Sequence, residues 1–397
     1  MLALTVLFLL LSLVYGNLIH GFLKDWRSIP LQESVKANEA SMRFTDTTVS
    51  VNHSSAEAHP EPTTLPLVTV LVPARNEASN IGALLTALQA QQYPASLLEI
   101  IVIDDHSEDQ TPAIVRTFKS VILLRLDAAG INSYKKKALE QGVAKASGKL
   151  IVCTDADCIP GPRWIEQLVA IYQKTQAAFI AAPVVLHAQQ NWLGYLQALD
   201  FMVLQGITGA GLHRGDLLMA NGANLAYPTA IFKQVNGYAG ADHIASGDDF
   251  FLLHKIAEHY PERIVYLKSK DAMVTTAAQA TWGSFLQQRI RWASKSTHYK
   301  KGRLQPVLTL VWSYNLVLLL LALGAIWGSG SLLIFGGGWI IKTMVEWSFV
   351  SEMTSFFGRK DLLKKFFWLQ PLHIIYTVMA GALGLKGKYR WKGRTVR

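Results

Sequence analysis

Cysteine is nearly missing: Cys153 and Cys158 are the whole supply in 397 residues. Two thiols cannot build a structural zinc site alone, and no His/Cys spacing completes one. They read as reduced thiols in a cytosol-facing domain. Acidic residues are in the minority, 28 Asp+Glu against 38 Lys+Arg. Nucleic acid, an anionic substrate and the anionic inner face of a membrane compete for that positive charge. The basic residues sit beside apolar segments, in "SKSTHYKKGR", "FFGRKDLLKKFFW" and "LKGKYRWKGRTVR". That placement favours the membrane face, and no nucleic-acid partner is expected. The N-terminus also lacks a basic n-region and a clear small-x-small cleavage site, which argues for an uncleaved anchor rather than a signal peptide.

What is present is apolar. Half of the residues are hydrophobic, as in a protein that is part globular and part membrane. Residues 2–19 carry no charge and can span a bilayer. His20, Lys24 and Arg27 follow, putting the next segment on the cytoplasmic side. Four regions are expected: an anchor at 1–23, a polar linker at 24–64, a cytoplasmic catalytic domain at 65–300, and a membrane region with a basic tail at 301–397. In the last, residues 306–327 are a strong spanning segment. Residues 331–350 are interrupted by Lys342 and Glu346, whose spacing of four lets them pair on a helix. Residues 366–385 have basic flanks on both sides. Either they are re-entrant or interfacial, broken at Pro371, or the basic tail is an exception.

The middle of the chain alternates. "LVTVLVPA", "LEIIVID", "VILLRL" and "LIVCTDA" are strand-like. Between them, "SNIGALLTALQAQ" has Ile81, Leu84, Leu85 and Leu88 on one helix face. "SEDQTPAIVRTF" opens with Ser107-x-x-Gln110, the form of a capping box. "YKKKALEQGVAKA" is a helix stopped by Gly148. Such alternation predicts a parallel, doubly wound α/β sheet, with ligands off the carboxyl ends of the strands. One sheet edge then collects Arg75, Glu77, Asp104, Asp105, Asp155 and Asp157. A structural sheet needs no such collection. Asp155 and Asp157, two residues apart after a strand, suit one hard cation, Mg2+ or Mn2+, completed by water and phosphate oxygens. The plain alternative is a chance Asp-x-Asp in a turn.

"VTVLVPARNEASNI", "IIVIDDHSEDQT", "KKKALEQGVAKASGKLIVCTDADC", "NGANLAY", "GDDFFL" and "QQRIRW" follow one another in the order of the inverting family 2 glycosyltransferases. From about Leu65 to Ser296 the chain resembles that family, best its membrane-anchored D, D, D, QxxRW group of glycolipid glycosyltransferases and polysaccharide synthases. The resemblance implies a GT-A-type, mostly parallel sheet with N-terminal and C-terminal transmembrane helices. It implies that Pro73, Arg75 and Glu77 line the nucleotide site, that Asp104 and Asp105 bind base and ribose, and that Lys135 is a donor-site lysine. Asp155 and Asp157 would take the metal and diphosphate, and Asp249 would be the general base with Asp248 as neighbour. Gln288, Arg291 and Trp292 would be QxxRW, with Arg291 on the diphosphate and Trp292 facing a sugar or lipid acceptor. Asn224, in "NGANLAYP", would lie in an acceptor-side loop.

Each assignment has a structural rival. Asp104 suits a helix N-terminus; Lys135, Lys136 and Lys137 suit a solvated face; Asp248 suits a helix cap; Arg291 and Trp292 suit a membrane-surface helix. The apolar stretch "NWLGYLQALDFMVLQGITGAGLHRG" fits a bilayer-facing patch open to a lipid acceptor better than ordinary core. The expected activity is transfer from a nucleotide-diphosphate sugar, a UDP-sugar, to a hydroxyl of a lipid-like acceptor, by an integral membrane enzyme with a cytoplasmic catalytic domain. The rivals are a processive polysaccharide synthase, a nucleotidyltransferase and an inactive membrane scaffold.

Overall fold

The computed structural model describes residues 2–33, 64–127, 133–240, 247–294, 303–324, 329–385, 389–391 and 394–396. Most of the expected polar linker, and the basic run at 295–302, lie outside the described residues. The elements in chain order are α1 (Leu2–Ser28), β1 (Val68–Ala74), α2 (Ile81–Gln89), β2 (Leu98–Asp104), α3 (Thr111–Arg116) and β3 (Val121–Arg125). Next come α4 (Tyr134–Lys145), β4 (Leu150–Cys153), β5 (Cys158–Pro160), α5 (Trp164–Thr175), β6 (Phe179–Ala181) and β7 (Val184–His187). Then follow α6 (Trp192–Arg214), β8 (Leu225–Pro228), α7 (Thr229–Gln234), α8 (Asp248–His259), β9 (Ile264–Tyr266), β10 (Val274–Ala277) and α9 (Trp282–Ser294). The chain closes with α10 (Leu304–Gly324), α11 (Ser329–Phe356), α12 (Leu363–Gly384) and the hairpin β11 (Tyr389–Trp391) and β12 (Arg394–Val396).

The main sheet has seven strands in the order β3-β2-β1-β4-β8-β6-β9. Strands β1 to β4 are parallel, as the alternation predicts, and β8 enters antiparallel to β4 and β6. A smaller sheet, β5-β10-β7, stands beside it. Buried on both faces, β1 is a nearly continuous apolar run. Val68, Val70 and Val72 point to one side, against α2 and α5 through Leu84, Leu88 and Trp164. Leu71 points to the other, where Leu139 and Val143 of α4 join a core that runs on into the apolar helices.

Two local expectations change. The start of α3 is not a capping box: the helix begins at Thr111, so Gln110 stands at its N-cap and makes no side-chain bond there. Asp109 accepts from the Thr111 N–H at 2.9 Å instead, and Pro112 fixes the first turn. Likewise α4 ends before Gly148, when Ala146 turns extended. Gly148 is small for another reason, since a Cβ there would stand 2.5 Å from the Thr69 nitrogen.

Three helices, Ala3–Ser28, Leu304–Gly324 and Lys360–Gly384, are long and apolar enough to cross a membrane. α1 is fastened to the sheet domain. The Lys268 ammonium donates to the Trp26 carbonyl at 2.8 Å and lies 4.6 Å from the Trp26 ring centre. It thereby adds a second donor to a carbonyl near the helix end that otherwise accepts only the Ile29 N–H, at 3.3 Å. Arg214 of α6 pairs with Asp25 at 3.0 Å. α6 is buried along much of its length, so it is not a bilayer-facing patch, although Leu196, Phe201 and Leu204 along it line the cavity described below. Its glutamines are stitches: Gln205 accepts from the Val184 N–H at 3.0 Å, and Gln197 both donates to and accepts from Gln279 at 2.9 Å.

Lys342 and Glu346 pair at 2.5 Å, as their spacing predicts. Gln370 completes the group, accepting from Lys342 at 2.7 Å and donating to Glu346 at 2.5 Å, and the Tyr15 hydroxyl donates to Glu346. α12 runs unbroken through Pro371, so no break at this proline supports a re-entrant segment. Proline has no N–H for the carbonyl four residues back. The Trp339 indole fills that role, donating to the Phe367 carbonyl at 3.0 Å. Trp339→Phe should orphan that carbonyl and cost about 1 kcal/mol, read as a lower melting temperature in detergent. Pro371→Ala supplies the missing N–H, and in that background Trp339→Phe should cost much less. Equal losses in both backgrounds would refute the capping role.

Candidate active site

The sheet order puts the ends of β2, β1 and β4 side by side, so their following loops meet. Arg75 donates to the carbonyls of Asp105 at 2.7 Å and His106 at 3.0 Å, tying the first loop to the second. Its guanidinium also pairs with the Asp105 carboxylate at 3.9 Å and with Glu108 at 3.4 Å. The Glu77 N–H donates to Thr111, and its carboxylate accepts from Asn80, both at 2.7 Å. Asn76 and His106 hold φ angles of 52° and 54° where the loops cross, a region non-glycine residues rarely enter. Asp104 accepts from the Ser107 N–H at 3.3 Å. It makes no bond to α3, whose first N–H, that of Thr111, goes to Asp109. Asp104 and Asp105 are both buried at the strand end, with Pro73 in the strand beside them.

A second cluster forms around Lys135, in the first turn of α4. Its ammonium lies 2.7 Å from Asp155 and 3.2 Å from Asp248. Burial works to lower its pKa, but the two carboxylates outweigh burial and hold the lysine well above its ordinary range. The solvated-face reading of the lysine run is therefore wrong for two of three. Lys136 is buried beneath the Phe251 ring, and Lys137 alone is on the open side, paired with Glu140 at 2.8 Å. Nor does Asp248 cap α8. The N-cap is Gly247 at φ 85°, and Asp248 turns to Lys135 instead. That glycine corner sets Asp249 one residue further on, where its carboxylate accepts from the Gly222 N–H at 3.2 Å. A Cβ on Gly222 would stand 3.0 Å from the Lys135 nitrogen and 3.1 Å from the Asp248 carboxylate.

Asp157 is exposed on the loop after β4, two residues past Asp155. Among the described residues, no group of three His, Cys, Asp or Glu side chains makes a metal cage. Two loop carboxylates, one of them resting on Lys135, fit a cation that takes most of its shell from a ligand's phosphates. Cys153 and Cys158 are free and buried. Burial pushes the Cys153 thiol up to about 12 and raises that of Cys158, so both stay protonated thiols.

Asn224 does not face an acceptor. Fully buried, it donates to the carbonyls of Pro183 and Ala272 at 2.8 Å and accepts from the Trp164 indole at 2.8 Å. With donors and acceptor used internally, it locks the two sheets together. Asn221, three residues earlier, is the loop asparagine that reaches open space. That space is a cavity of about 620 Å³ between the sheet domain and the apolar helices. Asp249, Phe250 and Trp292 line it at the sheet end. The Trp292 ring packs, tilted, against Phe201 at 6.0 Å. Gln288 and Arg291 are half-buried on α9, and among the described residues no ion pair or hydrogen bond joins them to the carboxylates.

Sequence reasoning passed over four residues in this cavity. Asp200 sits 2.6 Å from Arg289, accepts from the Tyr376 hydroxyl, and lies 3.8 Å from His373. The available signal was Asp200 itself, the one acid in an otherwise apolar helix, since ionisable groups in such surroundings usually have partners.

This is a GT-A-like mixed α/β fold with a parallel core, its carboxylates gathered at the carboxyl edge. Residues 69–234 match the family described as Glycosyl transferase family 2. It is 35% identical to glycosyltransferase AglE of Haloferax volcanii over 126 residues, 30% of this chain and 40% of that protein. It is 27% identical to the probable glycosyltransferase YdaM of Bacillus subtilis over 244 residues, 58% of this chain and 55% of that one. The chain thus spans about half the length of these curated relatives. Among solved structures, the mannosyltransferase PcManGT from Pyrobaculum calidifontis, in complex with GDP-Man and Mn2+, superposes with a TM-score of 0.56 at 18% identity. That likeness covers 94% of this chain and 98% of that one, and it shows the shared fold.

Lys135→Met should leave Asp155 and Asp248 facing each other without a cation. The expected loss is about 1–3 kcal/mol, less than for a fully buried pair, because the Asp155 side chain is 38% exposed. The Lys135 pKa is raised on folding, so its stabilisation is whole below the ordinary lysine value of 10.5 and fades only as pH rises through the raised one. The melting-temperature gap between wild type and variant should therefore stay flat from about pH 6 to about pH 9. A gap that closes within that window would refute the assignment.

Proposed function

We propose that this protein is an inverting glycosyltransferase that moves a sugar from a nucleotide-diphosphate donor, a UDP-sugar, to a hydroxyl of a membrane lipid. One observation carries the reading. Asp249 belongs both to the cluster around Lys135 and to the wall of the cavity among the apolar helices. A base so placed touches the donor side and the acceptor side at once.

In this reading Pro73, Arg75, Glu77, Asp104 and Asp105 form the nucleotide end, at adjoining strand ends. Asp155 and Asp157 would hold Mg2+ or Mn2+, which when bound supplies positive charge to the diphosphate. Lys135 is already charged and positioned for the same diphosphate. Gln288 and Arg291 on α9 add hydrogen-bond donors, and Trp292 offers its ring to the acceptor. Asp249 accepts the acceptor's hydroxyl proton while the oxygen bonds to the anomeric carbon. The bond from that carbon to the diphosphate breaks, and its electron pair leaves with the nucleotide. A single displacement inverts the anomeric centre. Lys24 and Arg27 near the end of α1 favour a cytoplasmic sheet domain.

Asp249→Asn should lower kcat by about 10²- to 10⁴-fold with the purified full-length protein, leaving UDP binding intact. Asp155→Ala with Asp157→Ala should abolish the metal dependence of that binding. Chromatography of the product separates one added sugar from a polymer. Full activity in Asp249→Asn would end the proposal.

A further inference from the structure

Two ion pairs sit in or behind the wall of the cavity beside Asp249, and they differ in one respect. Lys342 and Glu346 are completed by Gln370 and Tyr15. Arg289 and Asp200 are incomplete. Arg289 is 5% exposed, and its Nη2 approaches Asp200 at 2.6 Å without hydrogen-bond alignment. Its Nε and Nη1 have no hydrogen-bond partner, and neither does His373 Nδ1. The guanidinium lies over the rings of Trp292 at 4.3 Å and Phe285 at 4.9 Å, which fixes its plane. Buried donors are rarely left unmatched. These donors belong to side chains that line the cavity containing Asp249 and Trp292.

Resting on the reading above, we infer that this cavity holds the acceptor, and that the acceptor is an uncharged lipid alcohol rather than a lipid phosphate. Its apolar chain lies among α1, α6, α10 and α12. An oxygen near the reacting hydroxyl (an ester, amide or second hydroxyl) takes the free N–H groups of Arg289. Charge decides against phosphate. Asp200 already balances Arg289, and Lys342 balances Glu346. A phosphate would add negative charge in a low-dielectric setting, without an unpaired cation among the described lining residues. Chemistry agrees. A phosphate oxygen is ionised at neutral pH and needs no base, whereas an alcohol must lose its proton to a group such as Asp249.

The test uses the full-length chain in phosphatidylcholine vesicles containing 1,2-dioleoylglycerol, ceramide or undecaprenyl phosphate in equal amounts. Labelled UDP-glucose, UDP-galactose, UDP-N-acetylglucosamine and GDP-mannose serve as donors. Label should enter one of the two neutral lipids at least about tenfold faster than undecaprenyl phosphate, one decade being a clear preference. Equal or faster labelling of undecaprenyl phosphate overturns the inference, and with it the hydroxyl acceptor, while leaving sugar transfer from a nucleotide donor intact. No label in any lipid, with nucleotide still bound, also overturns it; loss of nucleotide binding overturns both. The double variant Arg289→Met, Asp200→Asn removes the pair without stranding a charge. It should raise KM for the neutral lipid about tenfold or more while UDP affinity holds. Arg289→Lys keeps the charge but loses the planar donor fork, and should raise the same KM. An unchanged lipid KM in both variants would overturn the inference.

Discussion

The cation between Asp155 and Asp248 organises the site. One carboxylate ends a central strand and the other opens a helix about ninety residues later. Like charges brought this close repel and resist burial. Lys135, from a third segment, removes the repulsion at 2.7 and 3.2 Å. Because Asp249 is the next residue after Asp248, fixing one fixes the other. The glycine corner at Gly247 and the backbone N–H of Gly222 finish the positioning without another side chain. On the function proposed above, a donor diphosphate would meet a lysine that is charged and already placed, with little rearrangement needed before chemistry.

The sheet and the apolar helices share one continuous core. Leu71 of β1 belongs to the same buried cluster as Phe349 of α11 and Leu318 of α10. Lys268 closes the end of α1 from the sheet side, and Trp26 packs against Tyr266 at 5.9 Å and Phe356 at 5.1 Å. These contacts hold the height of Asp249 relative to the helices. A sheet domain joined only by a linker would not hold that height.

Much of the fold could be read from the sequence, because its signals are local. The β1 run, the face of α2 and the Lys342–Glu346 spacing each need only a few consecutive residues. The errors came where a different partner, near or far in the chain, took the polar group. Ser107 and Gln110 look like a cap until Asp109 is seen to do the work. Asn224 looks like an acceptor residue until Trp164, Pro183 and Ala272 claim its polar atoms. Lys136 looks solvated until Phe251 covers it. The acids gathered at the sheet edge were legible, since parallel strands put their following loops at one edge. The pair Asp200 and Arg289 was not. Residues on two helices meet there through packing that no sequence period records.

The two buried ion pairs show how structure and function divide. Around Lys342 each polar atom of the pair meets Gln370 or Tyr15, and such a closed network fixes the register of α11 against α12 and α1. Around Arg289 the network stops short, although the same low-dielectric surroundings make an unmatched donor costly. If stability alone had shaped both, the second could have been closed by one more amide, as Gln370 closes the first. Arg289 lines the same cavity as Asp249, with Trp292 packed against its guanidinium. An incomplete network retained beside a candidate base is what a site needs when the missing partner comes with the substrate.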